Sequence, residues 1–553
     1  MTQTVAHAIG TALAQAGVRA VFGVVGSGNF HVTNALTEGG ARFIAARHEG
    51  AAAVMADAYA RVTGDLGVLT VHQGPGLTNA MTGITEAAKS RTPLLVLAPE
   101  ATAPGSNFRV DQAALATAVG AVADRVTSPA TAAADVARAR ATATVQRRTV
   151  VLNLPLDVLA MPAPIPFALP AAPPERLRSA DTDAAAALAE ALTAARRPVF
   201  VAGRGARHAH RDLNLLAERS GALLATSAVS RGLFRGDPWN LDVSGGFATP
   251  LAAELIQGAD LLVGWGSSLN MWTLRHGTLV GADTVVAQVD IDSDALGAHQ
   301  SVDLGVVGDV AATARAVLEE LDRRGVPASG DGTPNGYRTR EIAGRIACAG
   351  RWRDVPYDEY AEPGRIDPRT LSIELDDVLP PERTVAVDSG NFMGYPAMFL
   401  DVPDAEGFVF TQAFQSIGLG LASAIGAAIA RPDRLTVAAV GDGGLLMGVS
   451  ELETAVRLGL DLLVVVYDDE AYGAEVHHFG PEGYPLDHVR FPAADIAEIG
   501  RGFGCEGVTV RRAADLAAVA DWVKGPRAAP LVVDAKVTRG VPSWWLAEAF
   551  RGH

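Results

Sequence analysis

Val440-Gly441-Asp442-Gly443-Gly444 and, further along, Tyr467-Asp468-Asp469-Glu470-Ala471-Tyr472-Gly473 decide how this chain folds. The apolar run Leu435–Val440 leading into the first segment reads as a buried strand, and the second segment closes another, Asp461–Tyr467. Between them Val449–Leu458 reads as a helix with Leu452, Val456 and Leu458 on one face. Strand, helix and strand make a parallel βαβ unit, and both strand ends emerge on one edge of the sheet. Asp442 and the Asp468/Asp469 pair are therefore expected to be neighbours in space. Oxygen ligands beside a glycine turn at a strand's carboxyl end suit a hard cation such as Mg²⁺ holding a phosphate.

The composition bounds the rest. A chain of 553 residues is too long for one core and suggests about three domains of ~150–200 residues. A formal charge of −16 argues against nucleic acid or a membrane surface as partner, since both are anionic. Two cysteines, Cys348 and Cys505, cannot build a disulfide framework or a cysteine zinc site and fit a reducing compartment. The N-terminus lacks the basic start and apolar core of a signal peptide, and no run of about 20 apolar residues is present. A cytoplasmic protein is expected.

Strands and helices alternate along the chain. In the first part, Thr4–Ala16 reads as a helix, Val18–Val25 as a strand, Phe43–Ala46 as a strand, Ala51–Thr63 as a helix, and Leu66–Val71 and Pro93–Ala98 as strands. Glu49 follows a strand directly and falls in the first turn of a helix, where a carboxylate is favoured by the helix dipole alone. The turn Gly26-Ser27-Gly28-Asn29 looks like the start of a dinucleotide fingerprint, but His31 stands at its last glycine position. Seven prolines between Leu154 and Pro174 mark a linker. A second α/β unit follows, with strands Pro198–Ala202, Leu261–Trp265 and Thr284–Ile291 and a glycine turn at Gly203-Arg204-Gly205 that lacks a ribose-reading acid. A Gly/Pro-rich connector, Arg323–Gly364, leads to a third. The expected fold is α/β: three doubly wound parallel-sheet domains, with boundaries near 1–165, 180–325 and 365–553.

The Gly-Asp-Gly turn, the acid pair one helix and one strand later, and Arg47-His48-Glu49 in a separate α/β domain together resemble the thiamine-diphosphate-dependent enzymes of the acetolactate synthase, benzoylformate decarboxylase and benzaldehyde lyase group. The resemblance covers essentially the whole chain and names the domains as pyrimidine-binding, middle and diphosphate-binding. It implies thiamine diphosphate and Mg²⁺ as cofactors. Asp442, Asp469 and the Ala471 carbonyl would hold the metal, with Asp469 where the family usually has Asn. Gly441, Gly443, Gly444, Tyr472 and Gly473 would lie along the diphosphate, with Gly390, Asn391 and Phe392 as the other diphosphate-contacting segment. Gln415 and Ile417 would hold the aminopyrimidine and wedge under the bent cofactor. Glu49 would bond a ring nitrogen of the aminopyrimidine and so promote loss of the thiazolium proton. In the family Glu49 and the diphosphate site come from different subunits, which implies a homodimer or homotetramer. FAD, which some relatives carry in the middle domain, stays open because no residue decides for or against it.

Ser27 and His72 resemble the serine and histidine of benzoylformate decarboxylase, while His72-Gln73-Gly74-Pro75-Gly76 resembles the acetolactate synthase Ser-Gly-Pro-Gly with Gln73 in place of serine. Further candidates for the substrate pocket are His31, Asn270, Trp272, Glu475, His477 and His478. The expected activity is decarboxylation of a 2-oxo acid and ligation of the product to a carbonyl acceptor, transferase or lyase chemistry. The alternatives are a simple decarboxylase releasing an aldehyde, a nucleotide-dependent oxidoreductase built on the Gly26 or Gly203 turn, and a non-catalytic cofactor-binding relative. The presence of Glu49 speaks against the last.

Overall fold

The computed structural model describes residues 3–170, 179–326 and 336–549. Pro173 and Pro174 of the first connector and Pro327, Gly330, Gly332 and Pro334 of the second lie outside the described residues. The chain forms three six-stranded sheets in which every strand pair is parallel. In spatial order the first sheet contains Arg42–Ala45, Ala20–Gly23, Gly67–Thr70, Leu94–Glu100, Thr149–Pro155 and Val122–Arg125. The third contains Phe408–Phe410, Arg383–Val387, Leu435–Gly441, Leu462–Asp468, Leu531–Lys536 and Glu506–Val510. Numbered by position in the chain, both run 2-1-3-4-6-5, whereas the middle sheet runs 3-2-1-4-5-6. The first and third domains are thus topological twins.

The strands are apolar runs without alternation, as in Leu462–Asp468, where every residue is buried. That pattern fits a parallel sheet covered by helices on both faces. The twin domains pack through helices Glu49–Thr63 and Gly420–Ala430, and one apolar cluster, including Met55, Ala52, Ala422 and Ile425, runs through both. The approach is at backbone distance: a Cβ on Gly426 would lie 2.3 Å from the Met55 carbonyl oxygen. In each twin the sheet reverses its direction of growth between its first and third strands. Loops at the carboxyl ends of those two strands form a crevice, the usual ligand position in open α/β sheets. In the third sheet these loops begin at Asp388 and Asp442.

Several boundaries differ from the sequence expectation. The helix expected over Val449–Leu458 spans Glu451–Arg457, and the glycine turn expected before it is itself a short helix, Asp442–Met447, so Gly443 and Gly444 are helical rather than in an open turn. The helix expected from Ala51 starts at Glu49, because the His48 ring accepts the Gly50 amide at 3.0 Å and caps it. The first linker begins inside a strand that ends at Pro155, followed by a helical turn, Leu156–Leu159. The second connector contains a helix, Arg340–Ala349, whose Ile342 and Ile346 join the middle-domain core beside Leu255. Its glycine- and proline-rich flank conceals that amphipathic stretch.

Gly426→Ala should cost about 1–3 kcal/mol by overpacking and lower the thermal midpoint. Gly344→Ala, on an exposed helix where an added Cβ meets nothing within 4 Å, should be neutral or stabilising by up to ~1 kcal/mol. Equal midpoints for the two variants would show that the twin helices are not in backbone contact.

Candidate active site

Three of the aspartates at the carboxyl edge of the third sheet, read from the sequence, differ in standing. Asp468 is buried and paired: Lys536 donates to its Oδ2 and also lies 3.1 Å from Asp534. Its Oδ1 accepts the Glu470 amide at 3.0 Å, so this acid builds the turn after its strand. Asp469 turns the other way. Its Oδ1 accepts the Ala471 amide at 3.2 Å, and a Cβ on Gly473 would meet its Oδ2 at 2.1 Å, which only glycine allows. Asp442 is the first residue of its helix and is 8% exposed. Neither Asp442 nor Asp469 is in a salt bridge among the described residues. Burial pushes the Asp442 carboxyl up to about 8, with the charges of Asp469 and Asp468 adding to it. Burial likewise pushes Asp469 up to about 7, against the Ala471 amide, which works the other way.

Both acids line a cavity of about 1130 Å³ that also receives Gly390, Asn391, Phe392, Gln415, Ile417, Gly441, Gly443, Gly444, Ala471, Tyr472 and Gly473. The expected metal and diphosphate residues are therefore assembled in one chamber. Gly390 has φ +142°, a conformation that L side chains rarely adopt. Phe392 stacks on Tyr467 with ring centres 5.2 Å apart and props the segment from below. Asn391 is clasped by the C-terminal segment: its Oδ1 accepts the Ser543 amide and hydroxyl at 3.1 Å each, and its carbonyl accepts the Trp545 indole N–H at 3.0 Å. From the middle domain Asn270 and Trp272 reach the cavity wall, and exposed Glu475 sits at its rim. Asn270 Oδ1 is taken by the Thr273 amide and hydroxyl.

Glu49, Ser27, His72 and Gln73 are together, but not there. None of them lines the chamber of Asp442 and Asp469. They gather at the corresponding crevice of the first sheet. Asn79 donates to Glu49 Oε2 at 3.1 Å, and a Cβ on Gly76 would touch both His72 and Glu49, at 3.2 and 3.4 Å. His72 Nδ1 accepts the Gly28 amide at 3.3 Å, so the neutral ring carries its proton on Nε2. Phe108 stands edge-on to that ring at 5.2 Å. Gln73 is buried with its Oε1 unpartnered, pressed against Gly28, while Ser27 is exposed.

Three histidines expected at the pocket stand elsewhere. His31 is exposed beside Phe30, His478 packs on Phe479, and His477 is half-buried, which lowers its pKa; none lines the cavity. The two glycine turns read as dinucleotide candidates are explained by packing. A Cβ on Gly203 would lie 2.2 Å from the Gly266 carbonyl oxygen, and one on Gly26 would lie 2.6 Å from the His72 ring. One residue escaped the sequence reading. Asp388 is fully buried, accepts the amides of Ser389, Gly418 and Leu419 at 2.8, 3.0 and 3.2 Å, and is pushed up to about 6 by that burial. The available signal was its place: an acid ending an apolar strand, on the same sheet edge as Asp442.

The division between the two adjacent acids is testable. Asp468→Asn removes one of the two carboxylates that hold the buried Lys536 ammonium and should cost about 1–3 kcal/mol, read as a fall in the thermal midpoint. Asp469→Asn removes a charge that burial and Asp468 oppose more than the Ala471 amide and Arg365 favour, and should hold or raise the midpoint. The reverse ranking would exchange the roles of the two aspartates.

Comparison with known proteins agrees with this geometry. Residues 3–123 match the N-terminal TPP binding domain of thiamine pyrophosphate enzymes, residues 185–317 the central domain and residues 388–535 the C-terminal TPP binding domain. A probable 2-ketoarginine decarboxylase of Pseudomonas aeruginosa is 30% identical, the match covering 93% of this chain and 90% of the relative. A sulfoacetaldehyde acetyltransferase of Castellaniella defragrans is 29% identical, over 90% and 87% of the two chains. A catabolic acetolactate synthase of Raoultella terrigena is 28% identical, over 94% and 93%. With all three domains matched in order across the three parallel sheets, the chain belongs to the thiamine-diphosphate-dependent enzymes.

Proposed function

We propose that this enzyme decarboxylates a 2-oxo acid and joins the remaining fragment to a second carbonyl compound. The observation that supports a cofactor site is the acid pair: two carboxylates without a salt-bridge partner among the described residues, beside a wall of glycines in a chamber large enough for the cofactor. Asp442, Asp469 and the Ala471 carbonyl would offer oxygen ligands to a Mg²⁺ that holds the diphosphate. Gly441, Gly443 and Gly473 leave room beside the acids, and Gln415 and Ile417 stand across the chamber. When bound, thiamine diphosphate supplies a nucleophilic carbon and an acceptor for the electrons released with CO₂.

Glu49 holds the ring-nitrogen proton in this reading, and it lies outside the chamber of its own chain. A second copy would supply it, so the proposed working unit is at least a homodimer with two shared sites. His72 Nε2, beside Glu49, gives or takes a proton near the substrate. Ligation is favoured over simple decarboxylation by the acetyltransferase and acetolactate synthase among the relatives. The second reading, release of an aldehyde, is favoured by His72 itself and by the 2-ketoarginine decarboxylase.

Incubation with thiamine diphosphate, Mg²⁺ and a panel of 2-oxo acids, with and without carbonyl acceptors, should release CO₂ and give an acceptor-dependent product mass. An aldehyde alone would favour the second reading, and no CO₂ from any member would sink both. Glu49→Gln should lower turnover by about 10²-fold or more with the thermal midpoint unchanged; undiminished turnover would remove Glu49 from the chemistry. Asp442→Ala should abolish Mg²⁺-dependent cofactor binding, while Asp469→Asn, which restores the family's amide, should retain it.

A further inference from the structure

The loop from Gln412 to Leu419 carries Gln415 and Ile417, and its backbone is held at both ends by buried carboxylates. Asp388 takes the downstream end through the amides of Gly418 and Leu419. Glu86 takes the upstream end: its Oε1 accepts the Ala413 amide at 3.0 Å and its Oε2 the Phe414 amide at 2.6 Å. Between the two anchors Gln415 sits at φ +61°. A non-glycine residue in that region costs on the order of 1 kcal/mol and persists only where its surroundings over-determine it.

Glu86 does not belong to the domain whose loop it holds. It lies on helix Pro75–Lys89 of the first domain and is fully buried. Arg61, from the neighbouring helix, donates to Glu86 Oε1 at 2.7 Å, pairs with Asp57 at 2.8 Å and donates to the Phe410 carbonyl at 3.0 Å. Arg207 of the middle domain donates to the Arg61 carbonyl at 2.7 Å. All three domains thus meet at one buried ion cluster, and the cofactor loop grows out of it. Glu86 shares the neutralisation of Arg61 with Asp57. What Glu86 adds is two amide contacts at the base of a strained turn.

Resting on the thiamine diphosphate reading, we infer that Glu86 is a positioning residue that sets the cofactor loop from another domain and holds Gln415 at the chamber wall. The Arg61–Asp57 pair fixes the carboxylate, the carboxylate fixes the amides of Ala413 and Phe414, and those amides hold Gln415 in its left-handed conformation. A role confined to domain packing predicts a different outcome when the carboxylate becomes an isosteric amide.

The test is Glu86→Gln in the full-length protein, with Asp135→Asn as a control that removes another buried first-domain carboxylate, one that accepts the Thr127 amide away from the loop. Thiamine diphosphate affinity is read by quenching of intrinsic tryptophan fluorescence at saturating Mg²⁺. Backbone protection of 412–419 is read by hydrogen exchange without cofactor. Glu86→Gln should weaken cofactor affinity by about tenfold or more and speed exchange at 413–415, whereas Asp135→Asn should lower the thermal midpoint and leave affinity within about twofold. Unchanged affinity together with unchanged loop exchange in Glu86→Gln would overturn the inference. If that variant does not fold, Glu86→Asp, one methylene shorter with the charge kept, is judged by the same two readouts. A wild-type protein that fails to bind thiamine diphosphate would defeat the functional reading instead, and the exchange comparison would still decide whether Glu86 holds the loop.

Discussion

Asp442 is buried and Asp469 half-buried at one edge of a parallel sheet, and neither is in a salt bridge among the described residues. Desolvation penalises both anions and pushes both carboxyls toward neutral pH, Asp469 against the opposing charge of Arg365. The neighbouring Asp468 shows the other solution, an ammonium from the next strand. A lysine pairs with the acid that builds the turn, and the two acids at the chamber have no such pair. In the proposed site a divalent cation would complete them. The glycine at 473 follows from the same packing, since any Cβ there would displace the Asp469 carboxylate.

The surrounding architecture delivers these acids to one place. Parallel strands put every loop of one kind on one edge, and the reversal of strand order opens a crevice there. Because the first and third sheets share the order 2-1-3-4-6-5, each has such a crevice, and each crevice gathers its own polar set: Glu49 and His72 in one, Asp442 and Asp469 in the other. The twins press together through helices in backbone contact at Gly426, and at the end of that contact lies the Arg61, Asp57 and Glu86 cluster. Packing and site geometry are therefore one system. The helix contact that joins the domains also aims the carboxylate that holds the 413–414 backbone.

What the sequence reveals follows from the range of each interaction. Unbroken apolar runs are local, and they disclosed the strands; the spacing from Asp442 to Asp469 is set by one crossover, and it disclosed the acid pair. The helix Asp442–Met447 was concealed because Gly441, Gly443 and Gly444 read as an open turn. Asp388 and Glu86 carry no local mark of their task. Glu86 reads as an ordinary helical glutamate until the chain brings the Ala413 and Phe414 amides to it. His477 and His478 misled for the converse reason. They lie close in sequence to Gly473, yet of the helix Gly473–Phe479 only the first turn, Gly473, Ala474 and Glu475, lines the cavity.

The placement of Glu49 sharpens what the fold can do alone. Its helix begins at the carboxyl edge of the first sheet, capped by His48, and the carboxylate is held by Asn79 but remains partly open to solvent. The backbones of Arg47 and His48 are tied instead to Glu451, on the helix that follows the Asp442 segment in the same chain, with both amides 3.0 Å from its Oε1. That tie fixes the orientation of the Glu49 helix relative to its own third domain and keeps Glu49 out of its own chain's chamber. A rigid contact of this kind is useful only if the partner of Glu49 lies elsewhere. In the proposed two-copy site it would hold each Glu49 at a fixed angle toward the neighbouring chamber, so the intrachain contact would determine the geometry of an interchain reaction centre.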